Sequence, residues 1–287
     1  MELSTYFENI PALHRAMILA GGITFFWMLE SILPLFRFRY RKWQHALPNL
    51  FFTFTTVAVN LVFAFAIVGS ADFVSSRQIG LLHIFDLPPW LFVLSGLMVL
   101  DLIGAWLVHL VEHHVKWMWK FHIIHHSDMH VDTTTANRHH PVESVFRAVF
   151  TLAAVWVGGT PVYLVMLYQS LSVVLSQFNH ANIALPPLLD KWISWVIVSP
   201  NMHKVHHHYR QPLTDTNYGN IFSLWDHFFG TFERVESPSE QLTYGIDVMM
   251  QPADSQQIGR LLRMPFEQHR SIEGSKFSDV PPVSDRK

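Results

Sequence analysis

His109 and His113 stand four residues apart, which on an α-helix stacks both imidazoles on one face. The pattern His-x-x-His-His follows at His122, His125 and His126, and recurs at His203, His206 and His207. In each triplet the outer two histidines share a helix face and the middle one points about 100° from the last, so one helix can serve two neighbouring metals. A chain of this histidine content would show only about 0.08 such triplets by chance. Eight imidazoles exceed the four ligands of a tetrahedral zinc, and a catalytic zinc takes only three from the protein. A two-metal centre is the economical count. Imidazole accommodates zinc, copper, iron and nickel, so ligand type alone does not name the ion.

The 287 residues include 19 histidines and no cysteine. The lack of cysteine excludes a disulfide framework, a thiolate zinc site, an iron-sulfur cluster and a cysteine nucleophile. A formal net charge of -2, with no long basic run, excludes nucleic acid as a partner. No H-E-x-x-H motif is present to support metallohydrolase chemistry.

The elements that must position these histidines are apolar. Half of the chain is hydrophobic and 15% is charged, against about 25% in soluble globular proteins. Residues 12–36 and 47–69 are each long enough to span a bilayer, which argues against a soluble all-α protein. Arg37, Arg39, Arg41 and Lys42 lie between them and place that loop in the cytoplasm. A third span, from Pro89 to about Val111, then returns inward and ends at the first histidines. Residues 145–178 are broken by Gly158, Gly159 and Pro161 and read as a helical hairpin. The expected fold is an all-α integral membrane bundle of about three spans plus a re-entrant or full hairpin, with a cytoplasmic histidine-rich helical cap. Residues 1–88 form the N-terminal transmembrane region, 89–235 the catalytic domain, and 236–287 a cytoplasmic tail, disordered from Ser271. At the junction of spans and cytoplasm, a metal site can take electrons from a soluble donor and an alkyl chain from the lipid, which favours redox chemistry on a lipid C–H bond.

The motifs also resemble those of the fatty acid hydroxylase and sterol desaturase superfamily of membrane di-iron oxygenases. The likeness runs over roughly residues 90–235: Asp101 with His109-x-x-x-His113, FHIIHHS from Phe121, Arg138-His139-His140-Pro141-Val142-Glu143, QFNHANI from Gln177, SPNMHKVHHHYRQPLTDTNYGN from Ser199, and LWDHFFGTF from Leu224. Ala105-Trp106 and His109-Leu110 stand where the family often has an aromatic residue and His-Arg, which removes no ligand.

The resemblance implies metal ligation by His109, His113, His122, His125, His126, His203, His206 and His207, with His180 as a further ligand. Its Arg-x-His-Pro pattern selects His140 over His139 as a ligand or the support of one. Asp101, two turns deeper than His109, is expected to make a supporting bond, because a carboxylate inside a membrane is normally partnered. Asp215, Asn217 and Asp226 are candidates to hold the outer nitrogens of ligating histidines, with helix capping as the rival role. His114 and His208 are placed at the rim, and His14, His45, His83, His130 and His269 are read as ordinary.

The activity so implied is hydroxylation of a lipid C–H bond, whether fatty acyl, sterol or a related amphiphile, with O2 and external electrons. Two iron ions are the expected cofactors, with zinc able to replace them in isolated protein. Desaturation and ether-lipid monooxygenation are alternatives at the same site, and a bis-histidine haem protein or a zinc hydrolase is a more distant one. A separate electron donor is expected, cytochrome b5 or a ferredoxin with its reductase, with the chain in a bacterial inner membrane or the ER membrane.

Overall fold

A computed structural model describes residues 3–251 and 255–267. Among these the protein is helical, and the only β pairings are isolated bridges. Four helices are long and apolar enough to cross a membrane. A short α1 (Leu3–Glu8) precedes α2 (Ala12–Ile32), whose 21 residues span about 31 Å, the thickness of the hydrocarbon core. Only Phe26 and Glu30 of α2 are buried, and Pro34 follows closely on its end. The second span, α3 (Lys42–Ser76), is longer than the hydrophobicity of residues 47–69 indicates and contains Pro48. In the second turn this proline forgoes one ladder bond, and the residues added before position 47 carry His45 into the polar cap, where Asn49 also binds Asp128.

The third span starts as α4 (Pro89–Asp101), passes through a π-helical turn at Leu102–Leu107, and ends as α5 (Val108–His114). The wider turn lowers the rotation per residue, and Asp101 and His109 both reach the same segment: Asp101 accepts from the Ile221 and Phe222 N–H groups, and the His109 ring bonds the Tyr218 carbonyl. Helix α6 (Lys116–His126) carries the first histidine triplet. The hairpin follows as α7 (Pro141–Gly158) and α8 (Val162–His180). Gly159 ends α7 at φ 72°, and a Cβ on Gly80 would lie 2.3 Å from its nitrogen, so this close crossing requires glycine.

The bundle core joins Ile67, Ala71 and Val74 of α3, Leu100 of α4, Ala154 and Val155 of α7, and Leu164 and Tyr168 of α8. Helix α2 lies outside it, held to α8 by Phe26 against Phe178, with ring centroids 5.9 Å apart. The polar cap adds α9 (Pro187–Ile193), α10 (Pro200–His206) with the second triplet, and α11 (Leu224–Phe229).

The segment read as a tail packs onto this cap. Leu242 and Tyr244 bury against Val131 and Val205, while Ile246, Met249, Leu261 and Met264 bury against Phe52, Ile123 and Ile124. Its apolar residues are spaced too irregularly to show as a helix pattern, yet they seal the cap. His269 and the stretch from Ser271 lie outside the described residues.

Candidate metal centre

Two groups of histidines converge where α5, α6, α8 and α10 meet. His109, His113, His122, His126 and His206 form one, and His125, His180, His203 and His207 the other; within each group, one nitrogen per ring lies within 4.8 Å of all the rest. All nine side chains are buried. The two triplets divide in opposite senses. In the first, the outer pair His122 and His126 joins the group of five and His125 crosses to the group of four. In the second, His206 joins the five, while His203 and His207 join the four. Each helix thus contributes to both groups, as the 100° step between successive residues allows.

The donor set fits a metal. Nε2 atoms of neighbouring rings approach to 3.1 Å in the pairs His109–His122, His125–His180 and His180–His203, and to 3.2 Å in His122–His126. Nitrogens bound at about 2.0–2.1 Å around one ion would have similar mutual spacings. His113 Nε2, His206 Nε2 and both nitrogens of His207 are buried with no hydrogen-bond partner, and buried polar atoms are rarely left so. Burial first, and the neighbouring imidazoles second, push His122, His125, His126, His203, His206 and His207 below the ordinary histidine range. The rings are therefore neutral at physiological pH, the form that binds a metal.

The opposite ring nitrogens are held from outside. His109 Nδ1 donates to the Tyr218 carbonyl at 2.8 Å, His180 Nδ1 to that of Ser176 at 2.8 Å, and His206 Nδ1 to that of Thr216 at 2.7 Å. His113 Nδ1 lies 3.1 Å from Asp215 Oδ1.

Three other candidates for such support act elsewhere. Asn217 binds the backbone of Met202 and Glu233, because its positive φ of 53° turns the side chain back onto the loop. Asp226 accepts from Trp106 Nε1, Tyr218 N, Gly219 N and Thr231 Oγ1, so it fixes the loop that carries the Tyr218 carbonyl and touches no imidazole of either group. His140 caps α7 by accepting from Val142 N at 3.1 Å; its neighbour His139 approaches the site instead, 5.1 Å from the His125 ring. Proline at the first helical position fixes that choice, since the residue before it becomes the cap. Asp101 also takes the Trp225 indole N–H at 3.1 Å. His114 is exposed, and His208 Nδ1 accepts from Thr243 N.

Glu112, Glu143 and Arg147 stand outside the histidine pattern of the sequence, yet they support the site. His122 Nδ1 lies 2.8 Å from Glu143, and Arg147 bridges Glu143 at 3.1 Å and Glu112 at 2.7 Å. The available signal was three charged residues in otherwise apolar helices. Also missed were Lys204, fully buried with its ammonium on the His180 carbonyl, and a second polar network beneath the cap. In that network His45 meets Asp128 at 2.8 Å, and Arg138 binds Asn49, Ser127 and the Ile124 and Ser255 carbonyls. Burial opposes the charge on Asp128, but His45 and Arg138 hold it well below the usual carboxylate range.

A cavity of about 490 Å3 reaches His109, His125, His180 and His203 from the membrane side. It extends between Ala12–Leu19 of α2, Thr56–Val68 of α3 and Met166–Ser176 of α8. The stretch along α8 from His180 to Met166 corresponds to about 21 Å. Val57 and Leu61 line it while facing outward, so it opens sideways between the spans.

Residues 93–231 match the family described as fatty acid hydroxylase. The chain is similar to an ornithine lipid hydroxylase, OlsE, of Rhizobium tropici, 24% identical over 147 residues that make up 51% of this chain and 43% of the relative. It is similar to alkylglycerol monooxygenases of Homo sapiens, 29% identical over 176 residues (57% of this chain, 35% of the relative), and of Xenopus tropicalis, 31% over 161 residues (55% and 33%). The chain thus spans less than half the length of these curated relatives. No solved structure matches it.

Proposed function

We propose that this chain, which belongs to the fatty acid hydroxylase and sterol desaturase superfamily, is a membrane-bound non-haem oxygenase that hydroxylates a lipid C–H bond. In the balanced reaction, one oxygen atom of O2 enters the C–H bond and the other leaves as water, with two external electrons and two protons consumed. The observation that carries this reading is the meeting of nine buried histidines in two groups with a cavity that opens to the lipid. His109, His113, His122, His126 and His206 would hold one iron, and His125, His180, His203 and His207 the other. When bound, the iron pair would supply oxygen activation and abstraction of the substrate hydrogen.

The rest of the chemistry falls to the chain. The cavity excludes water from the reacting carbon and holds an alkyl chain along α3 and α8, with its reacting end beside His125 and His203. The small side chains of Gly104, Ala105 and Ala148 leave room beside His109. Glu143, Asp215 and the Tyr218 and Thr216 carbonyls fix the tautomers and angles of the rings they hold. In domain terms, residues 1–88 supply membrane anchoring and one wall of the cavity, and residues 89–235 the catalytic part. The basic residues Arg37, Arg39, Arg41 and Lys42 support a cytoplasmic orientation of the histidine end, in a bacterial inner membrane or the ER, where a separate donor such as cytochrome b5 or a ferredoxin would deliver electrons.

Lipid profiling of cells with and without the gene tests the reading, together with iron analysis of the purified protein. A product heavier by one oxygen, lost in His126→Ala and His207→Ala variants, is the expected result. Loss of two hydrogens would instead mark a desaturase, and a Soret band or anaerobic turnover with zinc alone would overturn the oxygenase assignment.

A further inference from the structure

The cavity approaches the histidines from one side, reaching His109, His125, His180 and His203. His113 and His126 do not line it, and they meet a different neighbour. The Trp119 ring lies 4.8 Å from His113, 5.3 Å from His126 and 6.0 Å from His122, centroid to centroid. Trp119 is only half-buried, so its indole reaches from the surface to the group of five. The surface around it is basic. Lys116 and Lys120 are exposed on the same helix, and helix Ile258–Arg263, joined to α6 through the following turn Met264–Phe266 and by Leu261 in the apolar cluster that it shares with Ile123 and Ile124, presents exposed Arg260 and Arg263. The acidic residues nearby are exposed Glu267 and half-buried Asp247. A second route to the surface runs from His113 through Asp215, but that route is acidic.

We infer that the face formed by α6 and helix Ile258–Arg263 is the docking surface for an acidic one-electron carrier protein, and that Trp119 is the point where its electrons enter the histidine cluster. This rests on the oxygenase reading, which requires electrons from outside. Each docking event oxidises the carrier by one electron and reduces the metal pair by one, so two events supply one turnover. Four positive side chains speed and orient the encounter with a negative partner, and the indole closes the distance between carrier and imidazoles without opening the cavity to water.

The test uses the full-length, iron-loaded protein in nanodiscs, with a soluble cytochrome b5 fragment, an acidic haem protein, as the carrier probe. Stopped-flow absorbance follows oxidation of the reduced fragment, and a small reducing dye provides a carrier-independent control. The expected result for Lys116→Glu/Lys120→Glu is association slowed by at least about tenfold at low salt, with a flatter salt dependence and unchanged dye reduction. Trp119→Leu is expected to keep its iron and its reduction by dye, to bind the fragment normally, and to slow electron transfer within the complex by at least about tenfold. Trp119→Phe, which keeps an aromatic ring of smaller size, controls for packing and should retain more of that rate. Carrier oxidation unaffected by the lysine and tryptophan variants, with the dye still reducing the iron, would overturn the docking inference and leave the oxygenase reading standing. An iron-loaded protein that neither the dye nor the fragment reduces would overturn both.

Discussion

Glu143 Oε1 lies 2.8 Å from His122 Nδ1, and both side chains are fully buried. The bond forces the His122 proton onto Nδ1 and turns Nε2 toward His109 and His126. Arg147 holds the same carboxylate oxygen at 3.1 Å and so limits how far Glu143 can rotate. Partners of this kind typically contribute about 10–100-fold to metal affinity or activity. Glu143→Ala is therefore expected to lower iron affinity by about that factor, while Glu143→Gln, which keeps an acceptor oxygen, should lose less. Iron titration followed by a spectroscopic probe of the bound metal checks this, and equal losses in the two variants would show that the carboxylate does not act through His122.

Lys204 lies between two proposed ligands, His203 and His206, yet points away from both. Its ammonium bonds to the last carbonyl of α8, that of His180, and basic groups near a helix C-terminus are favoured by its dipole. The bond ties the end of α8 to α10 and keeps His180 Nε2 at 3.1 Å from His203 Nε2. Lys204→Met retains most of the buried volume but loses this tie. The expected outcome is selective loss of the metal proposed for His125, His180, His203 and His207, with the group of five still loaded. Metal counted per folded protein should fall by about half, and an unchanged count would remove Lys204 from the site's support.

Much of the site was legible because histidine spacing maps directly onto helix faces. His122, His125 and His126, and likewise His203, His206 and His207, needed only the 3.6-residue period to be sorted into partners. The spans were legible from length and composition, and the Gly158–Pro161 break located the hairpin. What could not be read were relations between distant segments. The Glu143–His122 bond joins the start of α7 to α6, and the π-helical turn before His109 leaves no local pattern in Leu102–Leu107. His45 looked ordinary because its partners, Asp128 and Asp132, are more than 80 residues away in the chain. Asn217 misled for the opposite reason, since a polar residue beside a histidine triplet invites a role there, while its backbone conformation sends it elsewhere.

Acid should destabilise the metal-free protein. His122, His125, His126, His203, His206 and His207 are held below the ordinary value of about 6.5, so below that pH the unfolded chain binds more protons than the folded one. Stability then falls as pH falls, by up to about 1.4 kcal/mol per pH unit for each such histidine. Thermal unfolding of metal-free protein in detergent, compared at pH 7.5 and 5.5, should show a clear drop in midpoint at the lower pH. Bound metal should delay that drop, since protons must compete with it for the same nitrogens. A midpoint independent of pH over this range would mean that the imidazoles are not buried neutral.

Asp101 shows how the membrane-embedded part reaches the metal site without touching it. Its carboxylate accepts from Ile221 N, Phe222 N and Trp225 Nε1 at 3.1–3.2 Å, and so pins the loop between α10 and α11 to the third span. Through Tyr218 that loop holds His109, and through Thr216 it holds His206. Asp101→Ala removes an acceptor shared by three donors, the buried Ile221 N–H and the part-buried Phe222 N–H and Trp225 indole N–H. At about 1–3 kcal/mol for each donor left without a partner, the cost is large enough to loosen the loop. Asp101→Asn preserves one acceptor oxygen and should fall between the variant and the wild type. The expected signature is a lowered melting midpoint together with weaker binding at the group of five, because His109 and His206 both belong to it, while the group of four keeps its metal. Equal loss at both groups would mean that Asp101 supports the fold as a whole and not this loop.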